Sequence, residues 1–399
     1  MRWMREAVIG ATLFVLAGCA PGGGQERANE ILAEARAQLA PDRRTVVFDI
    51  RPDVRGRFLT LYGEVHDPEL KERLMRFIRE TGEFEPVDSL RTLPDPALGT
   101  KTIGIVSLSV ANLRQKPSHP AELGTQALLG TPVRILKKER GWLYVQTPDG
   151  YLCWTDDTVA EMTPEEYEVW LGQQRLIVTT EFAFVRAAAS PSSLPVSDVV
   201  AGCILGLKGR VGSSYEVLYP DGRTGYLDQN LAEPLRPWLM RAKATPQSVV
   251  ATAERFMGIP YLWGGTSAKG MDCSGFTKTV YFLNGIQLPR DAGQQERVGD
   301  LVETDDLLTT VQPGDLLFFG FRPNEKRGER VTHVGISLGG ARFIHASGDV
   351  HINSLNPDDA DYSEHRHTTF LRVKRIIGAK QENGLQMLAS IPYYRGDEY

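Results

Sequence analysis

Met271-Asp-Cys-Ser-Gly-Phe276 places a cysteine where a run of small residues meets an apolar-periodic segment. Asp272 has the residue type of a helix N-cap, and Phe276, Val280 and Leu283 recur at helical spacing until Asn284-Gly285 closes the segment. Cys273 then falls in the first turn. There the unpaired N–H groups and the positive end of the helix dipole favour thiolate over thiol, the form in which cysteine is a nucleophile. A lone cysteine is more often a small buried hydrophobe, so the case rests on what lies downstream.

His333-Val-Gly-Ile-Ser-Leu-Gly-Gly-Ala-Arg-Phe-Ile-His345 alternates around a Gly-Gly pair, the pattern of a β-hairpin. A three-residue loop of Leu338, Gly339 and Gly340 pairs 337 with 341 and His333 with His345, both on one face. A two-residue loop at Gly339-Gly340 pairs 333 with 346 and turns His345 away. A nucleophile, base and orienter therefore require the odd-length loop, with one imidazole taking the thiol proton and the other holding it in place.

Six segments stand in one order along about the last third of the chain: Pro260-Tyr-Leu-Trp-Gly-Gly265, Asp272-Cys-Ser-Gly275, Pro289-Arg-Asp291, Pro313-Gly-Asp-Leu-Leu-Phe318, His333-Val-Gly-Ile336 and Ile344-His-Ala-Ser347. In this the chain resembles the NlpC-type papain-like cysteine peptidases, which cut the stem peptides of bacterial peptidoglycan. The resemblance implies a papain-like α+β domain over 243–380, with Cys273 as nucleophile, His333 as general base and His345 as third polar residue. It also puts Tyr261 beside the nucleophile at the oxyanion site and Asp272 and Ser274 among the substrate-binding residues. The backbone N–H of Cys273 is the other natural oxyanion donor.

The chain has 399 residues, room for two to four domains. Its 50 acidic against 45 basic residues give a net charge of −5, and no basic patch interleaved with aromatics points to nucleic acid. Residues 1–19 have an arginine-bearing start, an apolar core from Ala7 to Leu16 and then Leu16-Ala-Gly-Cys19, a secretory signal too short to span a membrane comfortably. The final four resemble the bacterial lipoprotein processing box, which implies a lipid-bearing Cys19, membrane anchoring and a periplasmic body. Ala20 after that cysteine resembles the outer-membrane sorting pattern. Of the other cysteines, Cys153 and Cys203 lie in apolar stretches of different domains and read as two buried thiols.

Residues 20–98 read as a small α+β module: helix 26–39, strands 45–51 and 57–65, helix 68–80 and strand 83–90, with Asp67-Pro68 as N-cap and first helical residue. The module is similar to bacterial BON-like domains, and a spacer or protein-contact role is its default. Between 99 and 236 lies an internal repeat. Arg114 stands 34 positions before Pro148-Asp-Gly150, and Arg186 stands 34 before Pro220-Asp-Gly222. Each copy has short apolar segments between Gly, Pro and Asp turns, as in a small β-barrel. The first, 99–162, resembles the bacterial SH3 domain through Asn112-Leu-Arg, Gly130-Thr-Pro-Val133, Gly141-Trp-Leu-Tyr-Val145 and Gly150-Tyr-Leu-Cys-Trp154. The second, in 163–236 behind a short helix at 164–174, departs from it with Ser214-Tyr215 in place of Gly141-Trp142. A tail, 381–399, follows the peptidase region.

Two such modules before the peptidase domain resemble the γ-D-glutamyl-L-diamino-acid endopeptidases, which release L-Ala-γ-D-Glu from stem peptides with a free amino terminus. By that resemblance Glu122, Tyr151 and Asp291 surround the substrate ammonium. Desolvating a cation demands such an anion. Ala292 stands where that group has serine, which removes one hydrogen bond to substrate. The expected protein is a monomeric, multidomain α+β cysteine endopeptidase needing no metal or cofactor. Three other readings stay open: an endopeptidase acting on glycan-attached stems, a peptidoglycan-binding lipoprotein without turnover, and an acyltransferase or amidase on a related papain-like fold.

Overall fold

The computed structural model describes residues 23–325 and 327–395; the expected signal segment and Cys19 lie outside them. It divides into two compact units, one ending at Leu93 and one beginning at Pro94.

In the first unit, helices Gly23–Leu39 and Pro68–Thr81 pack on strands Phe48–Arg55, Phe58–Val65 and Glu85–Thr92. The middle strand is antiparallel to the first and parallel to the third, which the second helix reaches as a crossover. Asp67 Oδ1 accepts from Leu70 N at 2.7 Å, with Pro68 opening the helix. Leu70, Leu74 and Ile78 recur at four-residue spacing onto Leu59 and Leu61, which share one face of the middle strand. The first strand runs through Pro52 to Arg55, where the sequence pattern predicts an end at 51. It lies at the sheet edge, where proline's missing N–H breaks no ladder.

The second unit opens with two seven-stranded sheets of the same connectivity, between Ile103 and Met162 and between Arg175 and Pro234. The match extends to irregularities. Bulges fall at Leu113/Arg114 and Val185/Arg186, and Arg114 and Arg186 each donate Nη1 to a carbonyl seven residues on, Ala121 and Ser193. Cys153 and Cys203 are buried free thiols in the cores of the two different barrels, and burial pushes both up to about 12.

Next comes a six-stranded antiparallel sheet in the order Asp300–Val302, Phe370–Arg375, Leu316–Phe321, Arg330–Gly339, Arg342–Ser347, Asp349–Ser354. Helix Cys273–Leu283 packs on its fourth and fifth strands around Phe276, Val280, Val334 and Ile344. The expected tail is packed structure as far as Arg395. Gln386–Met387 pairs with Ile286–Gln287, and buried Tyr393 accepts from Trp170 Nε1 at 3.1 Å and donates to the Gly130 carbonyl. This aromatic closure ties the first barrel, the linking helix Pro164–Leu171 and the chain's end into one core.

Candidate active site

Asp272 caps the helix as its residue type predicts, with Oδ1 accepting from Gly275 N at 2.7 Å. Gly275 is required for another reason. A Cβ there would lie 2.0 Å from the Gly265 carbonyl oxygen, so only glycine lets the helix start press onto the Trp263-Gly264-Gly265 turn. Asp272 is also held elsewhere: Oδ2 accepts from Gly264 N at 2.9 Å, and Arg290 straddles both oxygens at 3.1 and 2.7 Å. Arg290 is 1% exposed and further donates to Ser274 Oγ and Thr125 Oγ1. The polar groups of Asp272 and Ser274, expected at the substrate, are thus engaged inside the protein, where they fix Arg290 and the helix start.

Cys273 is buried at the first helical position. The expected stabilised thiolate does not follow. Burial, then the neighbouring Asp272 carboxylate, push the thiol up to about 11, outweighing the Val334 and Ser274 N–H groups and Arg290. Burial thus favours the thiol over the thiolate here.

The hairpin also departs from its predicted loop. Ile336 pairs with Ile344, Ser337 with Phe343 and Gly339 with Arg342, so the turn is the two residues Gly340-Ala341 and Leu338 is an extra residue in a bulge. A two-residue turn alone would face the histidines oppositely, and the bulge restores parity. Continued outward, the register sets His345 across from Gly335, not His333. A Cβ on Gly335 would lie 3.2 Å from His345 Cβ and 2.9 Å from Phe343 Cδ2. The bare glycine lets the imidazoles meet diagonally, His333 Nε2 to His345 Nδ1 at 2.7 Å.

Asn353 completes this chain. Its Nδ2 donates to the Asp361 carbonyl at 3.2 Å, which turns Oδ1 toward His345 Nε2 at 2.9 Å. His345 therefore carries its proton on Nε2 and accepts at Nδ1 from His333 Nε2–H, leaving His333 Nδ1 as the basic nitrogen. Burial holds His333 well below its ordinary range, reinforced by Arg366 and His345, and holds His345 at about 3. Both rings rest neutral, the state a general base needs.

Tyr261 lies beside the thiol, bridged to Met271, with its N–H on the Gly348 carbonyl. Burial, then Cys273 and Asp272, raise its phenol above the ordinary range, so it keeps a proton to donate. The first barrel closes one side. Tyr151 OH donates to Asp291 at 3.2 Å, and Glu122 Oε1 accepts from Trp263 Nε1 at 2.8 Å. Tyr151 is thus joined to Asp291, while Glu122 is held by a residue of the Pro260–Gly265 turn. Gln126 Oε1 accepts from Thr266 N and Ser267 Oγ, and Lys278 pairs with Asp149 at 2.5 Å, fastening barrel to helix. His119 packs on Trp142 with ring centroids 5.0 Å apart.

Sequence reading missed Arg290, Asn353, Trp263 and Arg366. Arg290 and Trp263 stood inside recognised segments. Asn353 and Arg366 carried none.

A thiol at a helix start, met by the backbone N–H of Val334 next to His333, together with two hydrogen-bonded imidazoles in a defined tautomeric order, is equipped for acyl transfer through a thioester. The NlpC/P60 family signature matches residues 258–372, and that of the bacterial dipeptidyl-peptidase SH3 domain matches residues 113–158. A γ-D-glutamyl-L-lysine dipeptidyl-peptidase of Bacillus cereus is 33% identical over 56% of this chain and 67% of its own length. Dipeptidyl-peptidase 6 of Lysinibacillus sphaericus is 31% identical over 68% of this chain and 99% of its own. A crystal structure of an NlpC/P60 family protein from Bacillus cereus, 25% identical, superposes with a TM-score of 0.58 over 69% of this chain and 99% of that one. The chain belongs to the NlpC/P60 family, and its relatives' names support a peptidase.

Proposed function

We propose that this protein is a cysteine endopeptidase that hydrolyses the γ-D-glutamyl–diamino-acid bond of peptidoglycan stem peptides bearing a free N-terminal L-Ala. The observation that carries this reading is Tyr151 of the first barrel set against Asp291, just beyond Arg290, which grips the nucleophile's cap. A phenol and a carboxylate there suit an ammonium, with Glu122 nearby on Trp263. The relatives' names agree with release of a dipeptide.

In the mechanism, His333 Nδ1 takes the Cys273 proton as sulfur attacks the γ-carbonyl, so the thiolate forms during attack. The oxyanion develops beside the Cys273 N–H and the Tyr261 hydroxyl. Imidazolium then protonates the leaving amine, and the same ring activates water to free the dipeptide from sulfur. Secretion and lipid anchoring through Cys19, with the body in the periplasm, complete the proposal and rest on the sequence of residues 1–20.

The test is product mass analysis after incubating protein lacking residues 1–19 with free L-Ala-γ-D-Glu-diaminopimelate and, separately, with intact sacculi. Dipeptide from the free peptide alone, lost in Cys273→Ala and weakened in Asp291→Asn, is expected. Cleavage of sacculi with Asp291→Asn unaffected would move the activity to glycan-attached stems and remove the ammonium pocket.

A further inference from the structure

Two arginines flank the candidate site, and they differ in one respect. Arg290 is saturated by Asp272, Ser274 and Thr125. Arg366, on the short helix Glu364–Thr369, is half-buried, and among the described residues no carboxylate pairs with it. Its guanidinium makes one side-chain hydrogen bond, Nη2 to Ser347 Oγ at 3.1 Å, and lies 5.7 Å from the Phe319 ring centroid. Phe319 pairs with His333 across the sheet, with ring centroids 5.7 Å apart.

These contacts fix the side of the cleft. Ser347 ends the strand that carries His345, and the next residue, Gly348, accepts from Tyr261 N at 2.8 Å. Arg366 thus stands near the general base, the thiol and Tyr261, and bonds to none of Glu122, Tyr151, Asp291 or Arg290. The base hands its proton to the leaving amine, so the residue after the scissile bond lies on the His333 side of the site. Removing a guanidinium from water without a counter-ion is costly, and burial does weaken its hold on the proton while the nearby thiol and phenol strengthen it. Planar, charged and only partly bonded, the group is suited to bidentate pairing with a carboxylate.

We propose that Arg366 is a specificity-determining residue that binds a carboxylate of the diamino acid on the leaving side of the scissile bond. The proposal rests on the endopeptidase reading above. That carboxylate is the α-carboxylate of any free terminal diamino acid or the distal carboxylate that diaminopimelate has and lysine lacks.

The experiment measures kcat and KM for three peptides, L-Ala-γ-D-Glu followed by diaminopimelate, lysine or lysine amide, with the native protein, Arg366→Gln and Arg366→Lys. Loss of one charge-assisted contact should lower kcat/KM by roughly 10- to 100-fold for carboxylate substrates in Arg366→Gln, with partial recovery in Arg366→Lys and little change for lysine amide. A fall for both diaminopimelate and lysine assigns the α-carboxylate, and a fall for diaminopimelate alone assigns the distal one. An equal loss on all three peptides would show a merely structural arginine and overturn the proposal, as would no loss on any. If the native protein cleaves none of them, the endopeptidase reading fails and this inference falls with it.

Discussion

Replacing Asp272 by Asn keeps the side chain's shape and its ability to cap a helix but removes the charge facing Arg290. The Asn Oδ1 can still accept from Gly275 N, now 2.7 Å from Asp272 Oδ1. Its amide nitrogen then points donors at Gly264 N–H and Arg290 Nη2, both of which now donate to Asp272 Oδ2, at 2.9 and 2.7 Å. Arg290, 1% exposed, cannot turn to water and has the neutral Ser274 and Thr125 hydroxyls as its other partners. Breaking a buried pair from one side costs about 3–5 kcal/mol. The second unit begins at Pro94 and is about 300 residues long; at roughly 1.5 °C per kcal/mol for that size, a drop of roughly 5–8 °C is expected in its melting temperature. Calorimetry would read the loss, with Arg290→Met in the Asp272→Asn background as the partner measurement. Removing the stranded cation should recover part of the stability, so the two changes together should cost less than their sum. A loss below about 1 kcal/mol for Asp272→Asn, or strict additivity in the double variant, would refute the view of this pair as the clamp on the helix start.

Further predictions concern the imidazole chain. Asn353→Ala should leave the fold intact and lower kcat by roughly 10- to 100-fold with a smaller change in KM, the effect of about 1–3 kcal/mol from one buried hydrogen bond expressed in the transition state; an unchanged kcat would show that Asn353 does not set the tautomer. Gly335→Val, whose Cβ would sit 3.2 Å from His345 Cβ, should break the His333–His345 contact and abolish turnover while far-ultraviolet circular dichroism stays native. Burial holds His345 at about 3 and His333 well below its ordinary range, so the unfolded chain binds more protons below about pH 6.5. Their stabilisation is complete above about pH 6.5 and is lost as pH falls toward 3; melting temperatures across that range should fall with acid, and less steeply in His345→Phe, whereas parallel curves would remove the histidines as the cause.

The parts legible in the sequence are those encoded locally. Asp67-Pro68 and the four-residue spacing of Leu70, Leu74 and Ile78 specify a capped amphipathic helix within one window, and the helix is found where they place it. The repeat was legible through a constant offset of turn residues, and the paired bulges at Leu113/Arg114 and Val185/Arg186 carry the same regularity into the backbone. What escaped depends on partners far apart in the chain. Trp170 meets Tyr393 across 223 positions, and no periodicity near either residue announces the other. The hairpin shows the limit most clearly. Alternation of apolar residues specifies which face a side chain takes only if every residue on both strands is paired, and one unpaired residue inverts the outcome. Two glycines invited a turn of either length, and the sequence reading reached same-face histidines through a three-residue loop that does not exist. The structure reaches the same face through a shorter turn and an unpaired Leu338, and the offset this leaves between His333 and His345 is bridged because position 335 has no side chain. The Gly335 in His333-Val-Gly-Ile336 is therefore part of the candidate catalytic geometry. It belongs with the two imidazoles as a third requirement, one that a reading of chemistry-bearing side chains alone passes over.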